Sequence, residues 1–533
     1  MWFCGLRDKY KYIPVILVIT LVLYYPVVIG LSDAFFNDKG YFTLSNIQYV
    51  LSRKSIQYAI KFTFIQALLS STLSVILGFM AAVSLLILGF RGANIYRSLT
   101  IIPFMAPPMV VVMGFTTLYG SHGLLTSIHP WFKVFGEGFW AVIAAHVFYN
   151  IPLALNMAYA ALVSIPKDLI DSMTLFSRGR MIFILRRIIT PYILPAIFSS
   201  FMLIFIYCFT SFAIPLSLGG VKYSTLEVYI YYYYKIYFDE HKAAAIAFIQ
   251  YIFLLAFVAL FVVLHGRTFT APIGYRHYRL GFGRKTRILL AIYLAAITFY
   301  LYAPLVSIVY YSFYNPVTKA IGFEGFTRLF TTRYDPALGI PTHYIYINTL
   351  YYAFIVALLS MTLSTIVVIH GSRVTDVLYA SILAISPLTI ALGLVRAYGR
   401  VLENYMLIII AHTIASLPLT TRVLRLGFSR IPREVVDAAR VLGARGLTMY
   451  LRILLPLAKP SYLVALSLAL VVSLGEFSST FFIHIPETTT LGVAIYKYRA
   501  LRLWTASSSA ALILLLLTGS ILVLLSRKME RWL

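Results

Sequence analysis

A single carboxylate lies within the long apolar stretches of this sequence. Glu476 follows the apolar residues 456–475 and is followed by Phe477. An ionised carboxylate in apolar surroundings is costly, so it is retained where it pairs, meets water or performs a function. Glu476 therefore either lines a polar path between apolar segments or lies at a helix end, where neighbouring backbone or water bonds it. Both interpretations are open at this point.

Two histidines, His146 and His412, also lie within apolar stretches. They could relay protons, but a hydrogen bond between neighbouring helices is the commoner role of such side chains. The sequence shows no Ser–His–Asp arrangement and no cluster of metal ligands. Cys4 is near the N-terminus and Cys208 is in an apolar stretch, so no disulfide is expected. We predict no catalytic residue and no metal site.

A nucleotide-binding loop is also absent from the sequence. The pattern G-x-x-x-x-G-K-[ST], whose backbone N–H groups surround phosphates, does not occur. The nearest stretch, Gly-Arg-Lys-Thr at 283–286, follows no predicted strand. We therefore expect this chain to bind no cofactor and to be no enzyme by itself.

The composition indicates the environment of these residues. Of the 533 residues, 61% are hydrophobic and only 12% are charged, whereas soluble domains carry about a quarter charged residues. Apolar stretches of about 20 residues, the length that spans a bilayer, recur along the chain. The net charge of +26 could suggest nucleic acid, but Lys and Arg in loops orient membrane helices, and no soluble domain remains to bind a nucleic acid. The fold class is an all-α polytopic membrane protein.

About twelve segments are long enough to cross the membrane, and several exceed one crossing. They are 13–32, 57–88, 98–118, 139–163, 191–217, 241–265, 288–312, 346–369, 377–395, 405–428, 456–484 and 505–525. Pro103, Pro107 and Pro108 in the third segment, like Pro387 in the ninth, predict kinked helices around a pathway. The tyrosine run 231–234 is expected to belong to an interfacial aromatic belt rather than to a binding cage.

The distribution of Lys and Arg predicts the orientation of these segments. With both termini inside, the internal segments, including the loops 164–190 and 429–455, carry more Lys and Arg than the external ones. This bias favours cytoplasmic termini. The first segment is long, and no clear small-residue cleavage site follows it, so it is expected to be a retained helix rather than a signal peptide.

The chain repeats itself in order. Matches at an offset of 265 or 266 are His146 with His412, Pro152 with Pro418, 165–166 with 431–432, Pro191 with Pro456, Pro195 with Pro460, 225–226 with 490–491, and 230–231 with 495–496; ALLSSTLS at 67–74 also resembles ALLSMTLS at 357–364. Six segments separate equivalent points, so the repeats are parallel and not inverted. We predict a first six-helix half at 1–265, a basic cytoplasmic linker at 266–287 and a second six-helix half at 288–533. Within this repeat, Glu476 corresponds to Ser211, which makes both residues candidates for the pathway.

The loop between the tenth and eleventh segments has the pattern of a helix–turn–helix elbow. Pro432 suits a helix start, and Gly443 can end that helix in a left-handed cap. A second short amphipathic piece follows, and Pro456 opens the next segment. Apolar side chains share one side of the first helix at helical spacing: Val435, Ala438, Ala439 and Leu442.

This elbow resembles the signature loop of inner-membrane permeases of binding-protein-dependent ABC importers. That signature is Glu-Ala-Ala, three residues, Gly, nine residues, Ile, any residue and Leu-Pro. The chain has Asp437-Ala438-Ala439, then Gly443, Ile453 and Leu455-Pro456, with both spacings intact. The one departure, Asp for Glu, keeps the carboxylate.

The first half carries an eroded form of the same loop. Asp171-Ser172-Met173 stands in place of Glu-Ala-Ala, and Ser177 takes the position of the Gly. One extra residue lies between this position and the closing Pro191. Because Ser resists the left-handed cap that Gly adopts easily, we predict two elbows that contact their partners unequally.

The resemblance implies a set of partners. The elbow, through Asp437, Ala438, Ala439 and Gly443, would seat in a groove of a separate ATP-binding subunit, which would use the ATP. The expected assembly has one fused permease chain in the cell membrane, two ATP-binding subunits on the cytoplasmic face, and an external solute-binding protein. The stretches 211–231 and 473–480 look like parts of permeases for ferric iron, thiamine or oxyanions. The solute is therefore expected to be ferric iron, thiamine or a small anion.

Two rival functions are considered beside this one. An ion-coupled secondary carrier with two parallel six-helix halves would need no ATPase, but it leaves the intact spacing of the second elbow unexplained. A membrane receptor or scaffold gives no reason for two repeated cytoplasmic elbows.

Overall fold

The structure is a computed structural model that describes most of the chain. It covers residues 6–90, 92–166, 169, 172, 176, 183, 185–265, 283–331, 333–371, 375, 378–379 and 381–529. Most of the predicted linker, 266–282, therefore lies outside the described residues, and the predicted domain boundaries remain predictions.

The described residues are mostly helical in both halves. The helices of the first half are α1 (Leu6–Ser32), α2 (Ser45–Ser52), α3 (Lys54–Leu88), α4 (Ala93–Met105), α5 (Pro108–Tyr119), α6 (Leu124–Ile128), α7 (Phe139–Val163), α8 (Thr190–Phe209), α9 (Ala213–Leu218), α10 (Leu226–Tyr231) and α11 (Glu240–His265). Those of the second half are α12 (Arg284–Phe313), α13 (Glu324–Thr331), α14 (His343–His370), α15 (Pro387–Tyr398), α16 (Asn404–Ser429), α17 (Arg433–Val441), α18 (Gly446–Met449), α19 (Leu455–Gly475), α20 (Ser478–Ile483), α21 (Leu491–Ala500) and α22 (Trp504–Met529).

Short elements of other types connect these helices. The 3-10 turns are Asp33–Phe35, Pro130–Phe135, Ile382–Ala384 and Pro486–Thr488, and the π-helical turns are Leu185–Ile189, Tyr232–Ile236 and Tyr450–Leu454. Two short strands, β1 (Tyr314–Asn315) and β2 (Ala320–Ile321), pair antiparallel between α12 and α13.

The polytopic all-α prediction is confirmed. Among the described residues, 10 helices are long and apolar enough to cross a membrane. The first and ninth predicted segments overlap the shorter apolar helical stretches Thr20–Phe35 and Pro387–Tyr398, each of which runs three residues beyond its segment. Helix is favoured because backbone polar groups in a bilayer must be bonded within their own segment.

Prolines break the third segment, as the sequence predicts. α4 ends at Met105, Ala106 and Pro107 have extended backbone, and α5 begins at Pro108. Pro387 likewise begins α15 after the extended Ser386. Pro lacks the N–H that would continue the helix and disfavours α geometry in the residue before it. The predicted kinks are complete interruptions.

The sequence suggested that the fifth and eleventh segments are continuous helices, but each of them is broken. α8 ends at Phe209 and α9 begins at Ala213, while α19 ends at Gly475 and α20 begins at Ser478. The polar residues at the breaks, Thr210, Ser211 and Glu476, are few, and the apolar residues on both sides make each segment read as one span. The predicted spans 191–217 and 456–484 were therefore wrong as single helices.

The two halves interlock through their first helices. α1 packs along α15, and α12 packs along α5. A Cβ on Gly393 would overlap the carbonyl group of Pro26, and one on Gly114 would lie 2.9 Å from the carbonyl oxygen of Pro304. These two glycine–proline contacts are repeat-related, because each joins the third segment of one half to the first helix of the other. Small residues permit such close approach of helices in a membrane.

The structure also corrects the alignment of the second segment in the repeat. The backbone N–H of Leu226 donates to Thr63 Oγ1 at 3.0 Å, and that of Leu491 donates to Thr349 Oγ1 at 2.9 Å. These bonds make Thr63 equivalent to Thr349. The match of 67–74 with 357–364 would instead pair Thr63 with the position four residues after Thr349. The sequence match was therefore shifted by about one helical turn. Such a shift leaves the pattern of buried faces unchanged, because residues i and i+4 lie on the same helix face.

Candidate coupling helix and inter-half pathway

α17 forms the elbow predicted between the tenth and eleventh segments. Pro432, with extended backbone, precedes its first turn. Val436 and Ala439 are buried in an apolar cluster with Leu424 and Phe428 of α16 and with Met449. The elbow is therefore packed against the helix that precedes it rather than suspended in a loop.

Gly443 ends α17 in the predicted left-handed conformation. Its φ is +85°. The N–H of Gly443 donates to the carbonyl of Arg440 at 3.0 Å, and the N–H of Ala444 donates to that of Ala439 at 2.9 Å. This pair of bonds is the Schellman motif, which satisfies carbonyls left free at a helix end. A Cβ at 443 would meet no atom within 4 Å, so backbone conformation and not space favours glycine here.

The other side of α17 presents apolar side chains without cover. Val441 and Leu442 are each 87% exposed, and Val435 is also exposed. Ala438 shares this side, while Ala439 turns inward. The prediction that these side chains share one side of the helix is thus wrong for Ala439, which is buried. The other residues of the predicted side face outward. A rigid helix with exposed apolar residues is typical of a protein-binding surface.

Asp437 lies on the same exposed surface. Its side chain is 67% exposed, and Arg440 Nη1 lies 3.3 Å from its Oδ1. An exposed pair within one helix turn stabilises the helix by only about 0.3–0.5 kcal/mol. The pair can therefore exchange for a partner's charged groups at little cost.

The corresponding loop of the first half is described at few residues. Ser172 Oγ donates to the carbonyl of Leu169 at 3.0 Å. Asp171, Met173 and Ser177 lie outside the described residues. The prediction that the two elbows are unequal therefore stays a prediction.

Aromatic residues meet where the two halves face each other. The rings of Phe212 and Phe477, which are repeat partners, stack with centroids 6.0 Å apart. Tyr231 lies 5.6 Å from the Phe212 ring, and its repeat partner Tyr496 lies 5.8 Å from the Phe477 ring. Phe212 and Phe477 are almost fully buried. We call these four residues the aromatic gate, because their rings meet in the contact between the two halves.

The aromatic-belt prediction for 231–234 was wrong for two members. Tyr231 belongs to the aromatic gate, and the Tyr234 ring lies 4.7 Å from that of Phe482 in the other half. Tyr233 instead stays within the first half, where its ring faces Tyr49.

Ser211 and Glu476 lie directly before the two phenylalanines of the gate. Glu476 is half-buried at the break between α19 and α20, where its Oε1 accepts from the Ser479 N–H at 3.0 Å and from Ser479 Oγ at 3.2 Å. Ser211 accepts from Thr225 Oγ1 at 3.4 Å through its carbonyl. Glu476 thus lies at a helix end and is bonded locally, as one of the two sequence interpretations has it; that it lines the pathway stays a prediction.

Glu227 was missed by the sequence analysis. It is fully buried, and its Oε1 accepts from Gln250 Nε2 at 2.5 Å. Glu227 lies one helical turn before Tyr231 of the gate, within α10. The repeat offered a signal, because Glu227 corresponds to Gly492 within an otherwise matching stretch.

His412 makes the predicted bonds between helices, but His146 does not. His412 Nδ1 lies 2.9 Å from Ser473 Oγ, and its Nε2 lies 2.7 Å from Thr480 Oγ1. Among the residues that the structure describes, neither ring nitrogen of the buried His146 has a hydrogen-bond partner. The repeat explains the difference, because Cys208 and Pro215 stand where the second half has Ser473 and Thr480.

The bonds of His412 also locate the gate along the membrane normal. His412 lies eight residues from the start of α16 and 17 from its end, which is roughly 12 Å and 26 Å at 1.5 Å per residue. α17 follows that end. The gate therefore lies nearer the face opposite the elbow.

Comparison with known proteins identifies related sequences. The family model described as binding-protein-dependent transport system inner membrane component matches residues 74–267 and 371–533. The thiamine transport system permease protein ThiP of Haemophilus influenzae is 27% identical over 87% of this chain and 87% of its own length. ThiP of Brucella abortus is 34% identical over 47% of each chain. The ferric transport system permease protein FbpB of Actinobacillus pleuropneumoniae is 24% identical over 89% of this chain and 71% of its own.

Proposed function

The chain belongs to the family of inner membrane components of binding-protein-dependent transport systems, and we propose that it forms the whole solute pathway of an ATP-driven importer. It is a membrane-embedded permease subunit with two family repeats in one polypeptide. Because two halves already face each other across the aromatic gate, one chain per complex is sufficient, together with two separate ATP-binding subunits.

The observation that carries this proposal is the exposed surface of α17. Its inner side is anchored by Val436 and Ala439, its end is fixed by the Gly443 cap, and its outer side presents Val441 and Leu442. Covering a leucine side chain of this kind contributes about 1.5–3 kcal/mol. An ATP-binding subunit seated here would transmit its movement through α16 and α19, the helices on either side of the elbow.

The elbow then defines the cytoplasmic face, with both termini on it, and the gate lies nearer the external face. A solute delivered by an external binding protein would meet the closed contact of Phe212 with Phe477. Closure of the ATP-binding subunits would rotate the halves and separate these rings. Alternating access of this kind needs two discrete arrangements of the same interface.

The solute is proposed to be a cation, with thiamine favoured over ferric iron and a small anion. The relatives named above transport thiamine or ferric iron by their names. Glu476 directly precedes Phe477 of the gate, and aromatic faces with a carboxylate suit an organic cation such as the thiazolium ring of thiamine. A carboxylate would instead repel a small anion.

Reconstitution tests the proposal. The chain would be purified with the ATPase and the solute-binding protein encoded beside it, placed in liposomes, and supplied with ATP. We expect thiamine uptake that requires the binding protein and ATP, and one permease chain with two ATP-binding chains by native mass spectrometry. Uptake without ATP, driven by an ion gradient, would contradict the proposal, as would two permease chains per complex.

A further inference from the structure

A basic cavity opens on the face opposite α17. It has a volume of about 380 Å³, and both halves line it. Lys133 comes from the first half, and Arg499 and Arg502 come from the second, while Glu137 is the one acidic residue among its lining residues. A cavity of this size holds about a dozen water molecules at roughly 30 Å³ each, so it can accept a side chain from another molecule.

Arg499 forms the inner wall of this cavity with neutral partners. Its Nε donates to Thr116 Oγ1 at 3.0 Å, and its Nη2 donates to the carbonyl of Ser217 at 2.7 Å. Burial lowers the pKa of the guanidinium from its ordinary value, although Glu137 opposes the change. A desolvated cation whose hydrogen-bond partners are neutral is stabilised strongly by an approaching carboxylate.

The repeat-related place in the other half contains such carboxylates. Arg396, near the end of α15, lies 2.5 Å from Asp33 through Nε and 3.0 Å from Glu240 through Nη1. This cluster joins the second half to the first by ion pairs that the chain supplies itself. We call it the sealed cluster.

The open cavity lacks the residues of the sealed cluster. Aligning the Pro387 and Pro108 helix starts puts Thr117 in the place of Arg396, and aligning Pro304 with Pro26 puts Tyr311 in the place of Asp33. The 265-residue offset puts Thr505 in the place of Glu240. Both acids are thus replaced by neutral residues, and the cavity that Tyr311 lines also contains Lys133, Arg499 and Arg502.

We propose that the basic cavity receives an acidic side chain of the solute-binding protein, which completes from outside the ion-pair cluster that the other half supplies itself. This inference rests on the proposed importer function. Because both halves line the cavity, a docked carboxylate would hold Arg499 and Lys133 in one relative position. The binding protein would therefore bind to one arrangement of the two halves, and its docking would stabilise that arrangement at their interface.

The test measures binding of the solute-binding protein to the full permease–ATPase complex in nanodiscs. The test variant combines Lys133→Glu with Arg502→Asp, since Arg502 has a φ of +60° that Asp tolerates better than Glu. The matched control is Arg400→Glu, an exposed residue of the same face that corresponds to the cavity-lining Ser121. Thr505→Glu is a third variant, which restores the acid of the sealed cluster directly after Trp504, a residue that lines the cavity.

The expected result is a Kd raised at least about tenfold by the double variant and by Thr505→Glu, with a change below about twofold for Arg400→Glu. The double variant should also lose most of the salt dependence of binding. Unchanged ATPase binding and thermal unfolding would show that all variants are folded.

Two results would overturn the inference. One is wild-type affinity for the solute-binding protein in the double variant. The other is an equal loss of affinity in Arg400→Glu, which would indicate a general electrostatic attraction by the whole surface. Altered solute uptake at unchanged binding-protein affinity would assign the cavity to the solute and would also contradict the proposal. A wild-type complex that binds no solute-binding protein would instead refute the importer function itself.

Discussion

Replacing Gly443 by alanine tests whether the cap of α17 maintains coupling. The residue has a φ of +85°, and a left-handed conformation costs a residue with a Cβ about 1–2 kcal/mol. The added methyl would meet no atom within 4 Å, so no steric term adds to this cost. A strain of this size shifts the balance between capped and frayed elbows by about 5- to 30-fold. We expect the Kd of the ATP-binding subunits for the permease to rise by that factor.

Gly40 provides a matched control for this variant. Its φ is +79°, and a Cβ there would also meet no atom within 4 Å, but it lies in the turn after α1, on the face opposite the elbow. Both variants would be assayed in nanodiscs for ATPase binding, ATP hydrolysis and thermal unfolding. We expect Gly40→Ala to lose similar local stability without weakening ATPase binding. Equal effects of the two variants, or wild-type binding by Gly443→Ala, would refute the reasoning.

Three further predictions concern the rest of the fold. Asp335→Asn should lower the free energy of unfolding by about 3–5 kcal/mol, because it leaves Arg328 without its buried bidentate carboxylate, whose two oxygens accept at 2.7 Å. Burial raises the pKa of Asp335, but hydrogen bonds from Arg328 and other donors outweigh burial and set the pKa below its ordinary value. The thermal stability of the wild-type protein should therefore fall as the pH drops below about 4. The Asp335→Asn variant should lose this pH dependence. His412→Ala should lower the melting temperature more than His146→Ala in differential scanning fluorimetry, because only His412 bridges two helices. Gly393→Ala should abolish assembly of folded permease, measured by size-exclusion chromatography, since its Cβ would overlap the backbone of α1.

The elbow could be predicted from sequence because its signals are local. Pro432 at the helix start, Gly443 at its end and the spacing to Pro456 each act through the backbone of their own segment. The orientation of the helix could not be predicted in the same way. Val435 and Val436 are equally apolar, and the neighbouring helix decides that only Val436 is buried.

The pathway was less accessible to sequence reasoning because it is formed by contacts between distant residues. The breaks after Phe209 and Gly475 carry no proline, and their few polar residues, Thr210, Ser211 and Glu476, are flanked by long apolar stretches. Glu227 lies in a stretch that reads as an external loop, although it folds back into the interior. The orphaned His146 could have been recognised, since the repeat shows that Cys208 replaces one of its hydrogen-bond partners.

The most direct test of the account is the accessibility of Leu442 in the assembled transporter. Leu442→Cys would be made in a chain whose two native cysteines are replaced by serine, and its maleimide labelling rate would be measured with and without the ATP-binding subunits. Val401→Cys, at an 83% exposed position on the opposite face, serves as the control. We expect the ATP-binding subunits to slow labelling at 442 at least about tenfold, as for a side chain buried at an interface, and to leave labelling at 401 unchanged. Equal labelling of residue 442 in the free and assembled permease would contradict it.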